Sequence, residues 1–176
     1  GRCLLFGLGT ETNPEAAVPW ILQAAEIGVA DAQEFAGMCL IYGTGIEADP
    51  EKGVSWLEKA AAQDVPTALY HLGDCYYQGL GVPRDLQKAY PLLLRAAEAG
   101  TAEAQFAVGY MYEYGKGTEI DYDQAVKYYQ MAAEMNHSGA QHNLAVLFYT
   151  GRGVEKDLKQ AYQWFRSAAQ NGLGLS

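Results

Sequence analysis

Histidine side chains are the first candidates for metal chemistry in this chain, because imidazole is a common zinc ligand. His137 and His142 are five residues apart, and His71 lies far from both in the sequence. Zinc-binding histidines on one helix are typically closer, as in the i, i+4 pair of a His-Glu-x-x-His motif. The spacing predicts packed or exposed histidines rather than a metal site, and no cofactor is expected.

The sequence contains parts of two enzyme motifs but lacks residues that each motif requires. Gly115-Lys116-Gly117-Thr118 resembles the end of a phosphate-binding loop, yet Gly109 lies one residue too far away. Gly117 also stands where a hydroxyl residue would hold magnesium. A serine nucleophile of the β-lactamase type needs a lysine three residues later. Three serines lack it: Ser55, Ser138 and Ser167. The residues therefore favour a protein that is not an enzyme.

The composition limits the classes of partner. The 176 residues carry 21 Asp and Glu against 12 Lys and Arg, which gives a formal net charge of -9. Nucleic-acid-binding surfaces need clustered Lys and Arg to contact phosphates, so we expect no nucleic-acid ligand. No apolar run reaches the roughly 20 residues of a membrane span, so we expect no membrane insertion.

The elements that must position these side chains recur every 36 residues. Gly-x-Gly pairs mark the repeat at Gly7/Gly9, Gly43/Gly45, Gly79/Gly81, Gly115/Gly117 and Gly151/Gly153. Ala-Ala pairs keep the same spacing at Ala24-Ala25, Ala60-Ala61, Ala96-Ala97, Ala132-Ala133 and Ala168-Ala169. Two motifs that return together at one period predict an array of repeated structural units.

Each unit contains two predicted helices, which the third unit illustrates. Residues 66–78 carry apolar or small side chains at i, i+4, i+7 and i+8, which predicts a first helix. Gly79 can adopt the left-handed conformation that ends a helix, and Gly73 leaves room for a second helix to approach closely. Asp85 is the predicted N-cap of that second helix. The same position is held elsewhere by Asn13, Asp49, Asp121 and Asp157.

The second helices carry a predicted buried stripe in which large residues alternate with alanine pairs. Its members in three units are Ala89, Leu92, Leu93, Ala96 and Ala97, then Ala125, Tyr128, Tyr129, Ala132 and Ala133, then Ala161, Trp164, Phe165, Ala168 and Ala169. Cys3, Cys39 and Cys75 share one phase of the first helix. Packed helices lie about 8 to 10 Å apart, too far for a disulfide between equivalent positions, so free buried thiols are predicted.

A set of residues in the third unit matches a known repeat. They are Leu72-Gly73, Tyr76, Gly79-x-Gly81-Val82, Asp85, Lys88-Ala89, Ala96-Ala97 and Gly100. This run closely resembles the Sel-1-like repeat, a relative of the tetratricopeptide repeat, and the resemblance covers essentially the whole chain. It implies an all-α fold, an α/α right-handed superhelix (solenoid) of five helix-turn-helix repeats with the first incomplete. Members of the family are generally adaptors rather than enzymes.

The repeat period also predicts the domain organisation. We expect a single repeat array over residues 1–176, with units at about 1–29, 30–65, 66–101, 102–137 and 138–176. Gly1 falls at the phase of Gly37, inside a first helix, and no methionine precedes it. The chain is therefore interpreted as a fragment of a longer protein.

Positions that change from unit to unit are not required for stacking, so they predict a free surface. Four such phases of the first helix are spaced i, i+4, i+7 and i+8, which places them on one side of the helix. By resemblance to tetratricopeptide arrays, this side lines a concave groove. The candidate binding residues, here called the first-helix face, are Glu34, Met38, Tyr42, Tyr70, Asp74, Tyr77, Phe106, Tyr110, Glu113, Tyr114, His142 and Tyr149.

Tyrosine dominates the first-helix face, and aromatic residues are enriched in interface hot spots. Glu34, Asp74 and Glu113 would add negative charge that favours a basic or amide-rich peptide. The sequence therefore predicts an interaction scaffold or adaptor that binds a protein or peptide, with a monomer favoured. Two alternatives remain: a structural spacer or self-assembly module, in which several tyrosines pack between units, and a hydrolase of the β-lactamase type.

Overall fold

The computed structural model describes residues 12–173, which form nine α-helices and no β-strand. The helices are α1 (Pro14–Glu26), α2 (Ala30–Tyr42), α3 (Pro50–Ala61), α4 (Pro66–Gln78), α5 (Leu86–Glu98), α6 (Ala102–Tyr114), α7 (Tyr122–Glu134), α8 (Ser138–Thr150) and α9 (Leu158–Leu173). The predicted all-α helical-repeat fold is confirmed. The chain divides into two compact units, residues 1–89 and 90–176, with the boundary inside α5.

The predicted N-caps are confirmed at the start of every described second helix. Asn13 Oδ1 accepts a hydrogen bond from the Ala16 amide at 3.0 Å, and Asp49 Oδ1 accepts one from the Lys52 amide at 3.1 Å. The same bond is made by Asp85, Asp121 and Asp157. Each carboxylate or amide oxygen satisfies a backbone N–H that the first turn leaves without a partner, so the side chain fixes where the helix begins.

Glycine ends the first helices as predicted. The residue after α4 is Gly79 with φ of 84°, and the equivalent glycines after α2, α6 and α8 are also left-handed. The second glycine of each pair has a further reason to be glycine. A Cβ on Gly45 or Gly81 would collide with the backbone at Pro14 or Pro50, the first residue of the second helix one repeat earlier. The turn therefore packs directly on a helix N-terminus.

Glycine also brings the two helices of a repeat close together, as predicted for this phase. A Cβ on Gly37 would lie 2.8 Å from Leu57 Cγ and 2.9 Å from the Gly53 carbonyl oxygen. A Cβ on Gly109 would lie 2.7 Å from the Tyr129 ring. First and second helices of one repeat thus touch through a position without a side chain.

Each unit has its own hydrophobic core, built from the predicted stripes. In the first unit it comprises Ala17, Ile21, Ala25, Ala32, Ala36, Leu40 and Trp56. In the second it comprises Ala125, Val126, Tyr129, Ala132, Ala133, Ala140, Leu144 and Leu147. Cys39 and Cys75 are buried and free, as predicted. Cys3 and the first glycine pair, Gly7/Gly9, lie outside the described residues.

The stripe prediction is only partly right for α9. Ala161 is buried, but Trp164, Phe165 and Ala168 are half-buried and Ala169 is exposed. In α7 the equivalent residues are covered because α8 packs against them. Among the described residues no helix follows α9, so no described helix covers this side of the stripe.

A buried glutamine recurs near the start of three first helices. Gln33, Gln105 and Gln141 each donate from Nε2 to a backbone carbonyl eight residues earlier, at 3.0 to 3.2 Å. The side-chain oxygens differ in what they accept. Gln63 donates to Gln33 Oε1 at 2.8 Å, and Asn171 donates to Gln141 Oε1 at 3.0 Å. Gln105 Oε1 is buried and has no hydrogen-bond partner.

Candidate functional site

In the first unit, six predicted binding residues lie on α2 and α4. Tyr42 is the most open of them, with 61% of its surface exposed. Met38 is half-buried, as are the three on α4, which are Tyr70, Asp74 and Tyr77. Glu34 is 9% exposed, so its carboxylate lies at the floor of this surface rather than projecting from it.

A cavity of about 350 Å³ opens between these residues, and we name it the α2–α4 cavity. Helix α2 contributes most of its wall, and the remaining contributions come from the residues after α2 and from α4. The lining residues are Glu34, Phe35, Met38, Cys39, Tyr42, Thr44 and His71. Three of the twelve predicted residues therefore meet at one concavity, whose wall is mainly apolar and includes the polar side chains of Glu34 and His71.

The Glu34 carboxylate is held in place by α4. Thr67 Oγ1 donates to Glu34 Oε2 at 2.8 Å, and His71 Nε2 lies 3.5 Å from Glu34 Oε1. The His71 ring in turn packs against Tyr70, with 5.1 Å between ring centroids. These contacts fix the position of the carboxylate, so the cavity has a preorganised negative group.

Asp74 adds a second negative charge beside Tyr42. Burial raises the pKa of the Tyr42 hydroxyl, and the Asp74 charge raises it further. Gln78 Nε2 donates to Asp74 Oδ2 at 2.6 Å. The same region holds the buried Cys75 thiol, whose pKa burial raises to about 11, so it is protonated near neutral pH and is not an activated nucleophile.

In the second unit, the predicted residues lie on α6 and α8. Tyr114 and Tyr149 are 50% and 57% exposed, and His142 is exposed too. Phe106 and Tyr110 are half-buried and pack against the core of this unit. The Tyr110 and Tyr114 rings lie 4.5 Å apart between centroids, so the two side chains form one aromatic surface.

Glu113 does not provide the exposed acidic point that the sequence suggested. Only 6% of its surface is exposed, and the Tyr129 hydroxyl donates to Glu113 Oε2 at 2.8 Å. Asn143 Nδ2 donates to the same hydroxyl at 3.0 Å. Burial and this carboxylate together raise the pKa of Tyr129. Glu113 therefore belongs to a buried hydrogen-bond network between α6, α7 and α8.

Basic side chains of the protein already lie beside two of the predicted tyrosines. The Arg84 guanidinium lies 5.7 Å from the centroid of the Tyr77 ring, and Arg84 Nε donates to the Tyr77 carbonyl oxygen at 3.0 Å. The Lys156 ammonium lies 5.7 Å from the centroid of the Tyr149 ring. Such contacts reduce the aromatic surface that these two residues offer to a partner.

The sequence interpretation missed Phe35 and His71, which both line the α2–α4 cavity. They share a repeat phase with Ala107 and Asn143, so that phase varies as much as those that were selected. Variation at this phase could therefore have identified Phe35 and His71 from the sequence. In the second unit, Asn143 at the same phase donates a hydrogen bond to the Tyr129 hydroxyl. Among the described residues, no group of three or more His, Cys, Asp or Glu could hold a metal ion. None of the described helices is long and apolar enough to span a membrane.

Comparison with known families places this geometry in context. The family model of the Sel1 repeat matches five consecutive segments, residues 1–29, 30–65, 66–101, 102–137 and 138–173. The chain belongs to the Sel1 repeat family. Sel1 repeat proteins have a tetratricopeptide-like helical fold, and they are generally protein-interaction scaffolds that are typically not enzymes.

Solved structures agree with this assignment. A Sel1 repeat protein from Oxalobacter formigenes is 34% identical over 97% of this chain and 70% of its own, with a TM-score of 0.90. The c5321 protective antigen of uropathogenic Escherichia coli, which displays an SLR fold, is 31% identical with a TM-score of 0.89. That match covers 97% of this chain and 37% of the antigen, so this chain spans well under half of its length.

A third similar structure is more distant. Cysteine rich protein B of Helicobacter pylori is 25% identical over 73% of this chain and 92% of its own, with a TM-score of 0.57. A search of curated proteins found no match to the chain.

Proposed function

We propose that this Sel1 repeat chain is an interaction scaffold that binds a peptide or protein segment on its first-helix face. The observation that carries the proposal is the exposure of Tyr42, Tyr114 and Tyr149, which are each at least half open to solvent. In a helical protein an exposed tyrosine has no role in the core, whereas at an interface it supplies a large contact area at low entropic cost.

The supporting chemistry differs between the two units. In the first, Tyr42 borders the α2–α4 cavity, so a ligand can combine contact on an exposed ring with insertion into a concavity. In the second, Tyr110 stiffens Tyr114 through ring contact, which lowers the entropy that Tyr114 loses on binding. The chain has no catalytic residue of its own in this proposal.

The test is a peptide selection followed by measured affinities. Random peptides displayed on phage are selected against the chain, and the selected peptides are synthesised. Their dissociation constants are then determined by calorimetry for the original protein and for the triple variant Tyr42→Ala, Tyr114→Ala and Tyr149→Ala. Circular dichroism confirms that the variant keeps its helices.

Tyr162→Ala is the matched control, because Tyr162 is also an exposed tyrosine but lies on α9, a second helix. We expect at least about tenfold weaker binding by the triple variant and no change in the control. Equal affinities for all three proteins would overturn the proposal. Failure to select any peptide would favour the alternative of a structural spacer without a ligand.

A further inference from the structure

We propose that the α2–α4 cavity receives the side chain of an arginine from the bound partner. The inference rests on the proposed function and names the chemistry of one contact within it. It depends on three observations about the first unit: the composition of the cavity wall, the charges around the cavity, and an exposed Tyr42 over whose ring no described lysine or arginine lies.

The wall of the cavity suits an amphipathic side chain. Phe35 and Met38 provide apolar surface, and the preorganised carboxylate of Glu34 provides a negative group on the same concavity. An arginine has a three-carbon apolar stem and a charged planar head, so it can satisfy both kinds of surface at once. A wholly apolar side chain would instead cover the carboxylate without offering it a donor.

The charges around the cavity favour a cation. None of the seven lining residues is lysine or arginine, and the single lining imidazole, that of His71, lies against one oxygen of Glu34. Glu34 lines the cavity, and the charge of Asp74, which lies outside the cavity wall, raises the pKa of the Tyr42 hydroxyl at its edge. Guanidinium groups bind carboxylates through paired, charge-assisted hydrogen bonds, which gives arginine an advantage over an uncharged donor.

Tyr42 offers an aromatic face for the same head group. Tyr42 is 61% exposed and borders the cavity. Tyr77 and Tyr149 have an internal cation within 5.7 Å of their ring centroids, whereas no described lysine or arginine is found over Tyr42. This chain therefore already uses cation–ring contacts at two other tyrosines of the first-helix face, one repeat phase away from Tyr42, and an arginine from the partner would supply one at Tyr42.

The test uses the methyl group of Met38, which lines the cavity, as an NMR reporter. The protein is labelled with 13C at its methionine methyl groups, and Met38→Leu identifies the Met38 signal. N-acetyl-L-arginine methylamide is titrated first. The citrulline analogue, which has the same shape without the positive charge, is titrated next.

We expect a saturable shift of the Met38 signal with the arginine probe and roughly tenfold weaker binding of the citrulline probe. Glu34→Gln should weaken arginine binding by a similar factor, because it removes the charge while keeping an oxygen for Thr67. Glu58→Gln is the control, since Glu58 is exposed on α3 and its substitution changes the net charge equally. Tyr42→Ala is a second variant at an exposed site, in case Glu34→Gln fails to fold.

Three outcomes would overturn the proposal: no saturable shift with arginine, equal binding of citrulline, or equal effects of Glu34→Gln and Glu58→Gln. These outcomes are distinguishable from failure of the proposed function. Selected peptides that bind through the three tyrosines, with no arginine effect at Met38, would overturn the cavity assignment alone. Peptides insensitive to the tyrosine variants would overturn the scaffold proposal even if the arginine probe bound.

Discussion

At the residue scale, one buried amide is left with an unsatisfied oxygen. Gln33 and Gln141 accept hydrogen bonds from Gln63 and Asn171, residues 30 positions later. The residue 30 positions after Gln105 is Met135, an exposed side chain without an amide. A buried acceptor without a partner is costly because it has lost water and gained nothing in return.

Met135→Gln should therefore stabilise the protein by about 1 kcal/mol, because its amide can donate to Gln105 Oε1 as Gln63 donates to Gln33. Urea denaturation would measure the free energy of unfolding. Ala99→Gln is the matched control, since the residue 30 positions earlier is Leu69, which has no polar side-chain atom. Equal effects of the two substitutions would contradict the explanation.

His137 is a titratable N-cap at the start of α8. Its Nδ1 accepts a hydrogen bond from the Ala140 amide at 3.1 Å, and its ring stacks on Phe106 at 4.5 Å. Burial lowers the pKa of His137 from its usual 6.5, against an opposing effect of Glu103. In the unfolded chain the imidazole therefore binds a proton at higher pH than in the folded chain.

The contribution of His137 to stability should be complete above a pH of about 6.5 and should decline as the pH falls from there through the lower pKa of the folded state. His137→Asn keeps an N-capping oxygen but does not titrate. The free energy of unfolding at about pH 7.5 and about pH 5.5 should differ less in this variant than in the original protein. A pH dependence unchanged by the substitution would show that His137 is not its source.

At the element scale, the closeness of paired helices depends on a missing side chain. Gly109→Ala would place a methyl group 2.7 Å from the Tyr129 ring, which is fully buried and held by its hydrogen bonds to Glu113 and Asn143. Because that ring cannot move away freely, we expect a loss of about 1 to 3 kcal/mol in the free energy of unfolding.

Gly172→Ala is the control for this prediction. Gly172 is also helical, but a Cβ there would meet nothing within 4 Å. Alanine is the better helix former, so this substitution should be neutral or stabilising by up to about 1 kcal/mol. Thermal or urea unfolding of Gly109→Ala and Gly172→Ala would test both predictions. A similar decrease in the free energy of unfolding in the two variants would argue against close packing as the cause.

At the scale of the whole molecule, the net charge of -9 should govern how fast a cationic ligand arrives. Raising the salt concentration from about 0.1 M to about 1 M shortens the Debye length from about 10 Å to about 3 Å. Association of an arginine-containing selected peptide should therefore slow several-fold, whereas its dissociation should change less. Stopped-flow fluorescence would measure both rates, and an association rate insensitive to salt would contradict electrostatic attraction.

The sequence by itself determined where the described second helices begin and where the described first helices end. Capping oxygens at Asp49 and Asp121 and left-handed glycines at Gly79 and Gly115 act through backbone groups only a few residues away. Local chemistry of this kind does not depend on the rest of the molecule. Repetition at a fixed period then supported each assignment several times, which is why the helix-pair architecture could be predicted correctly.

Only the tertiary structure decided which residues of the first-helix face are open. Glu113 and Tyr149 share a repeat phase, yet Glu113 is buried by its bond to Tyr129 of α7, whereas Tyr149 is exposed. The α2–α4 cavity likewise depends on His71 and Thr67, which reach Glu34 from the next repeat. Helical periodicity fixes the direction in which a side chain leaves the backbone, but neighbouring helices determine whether that side chain finds a partner or remains in solvent.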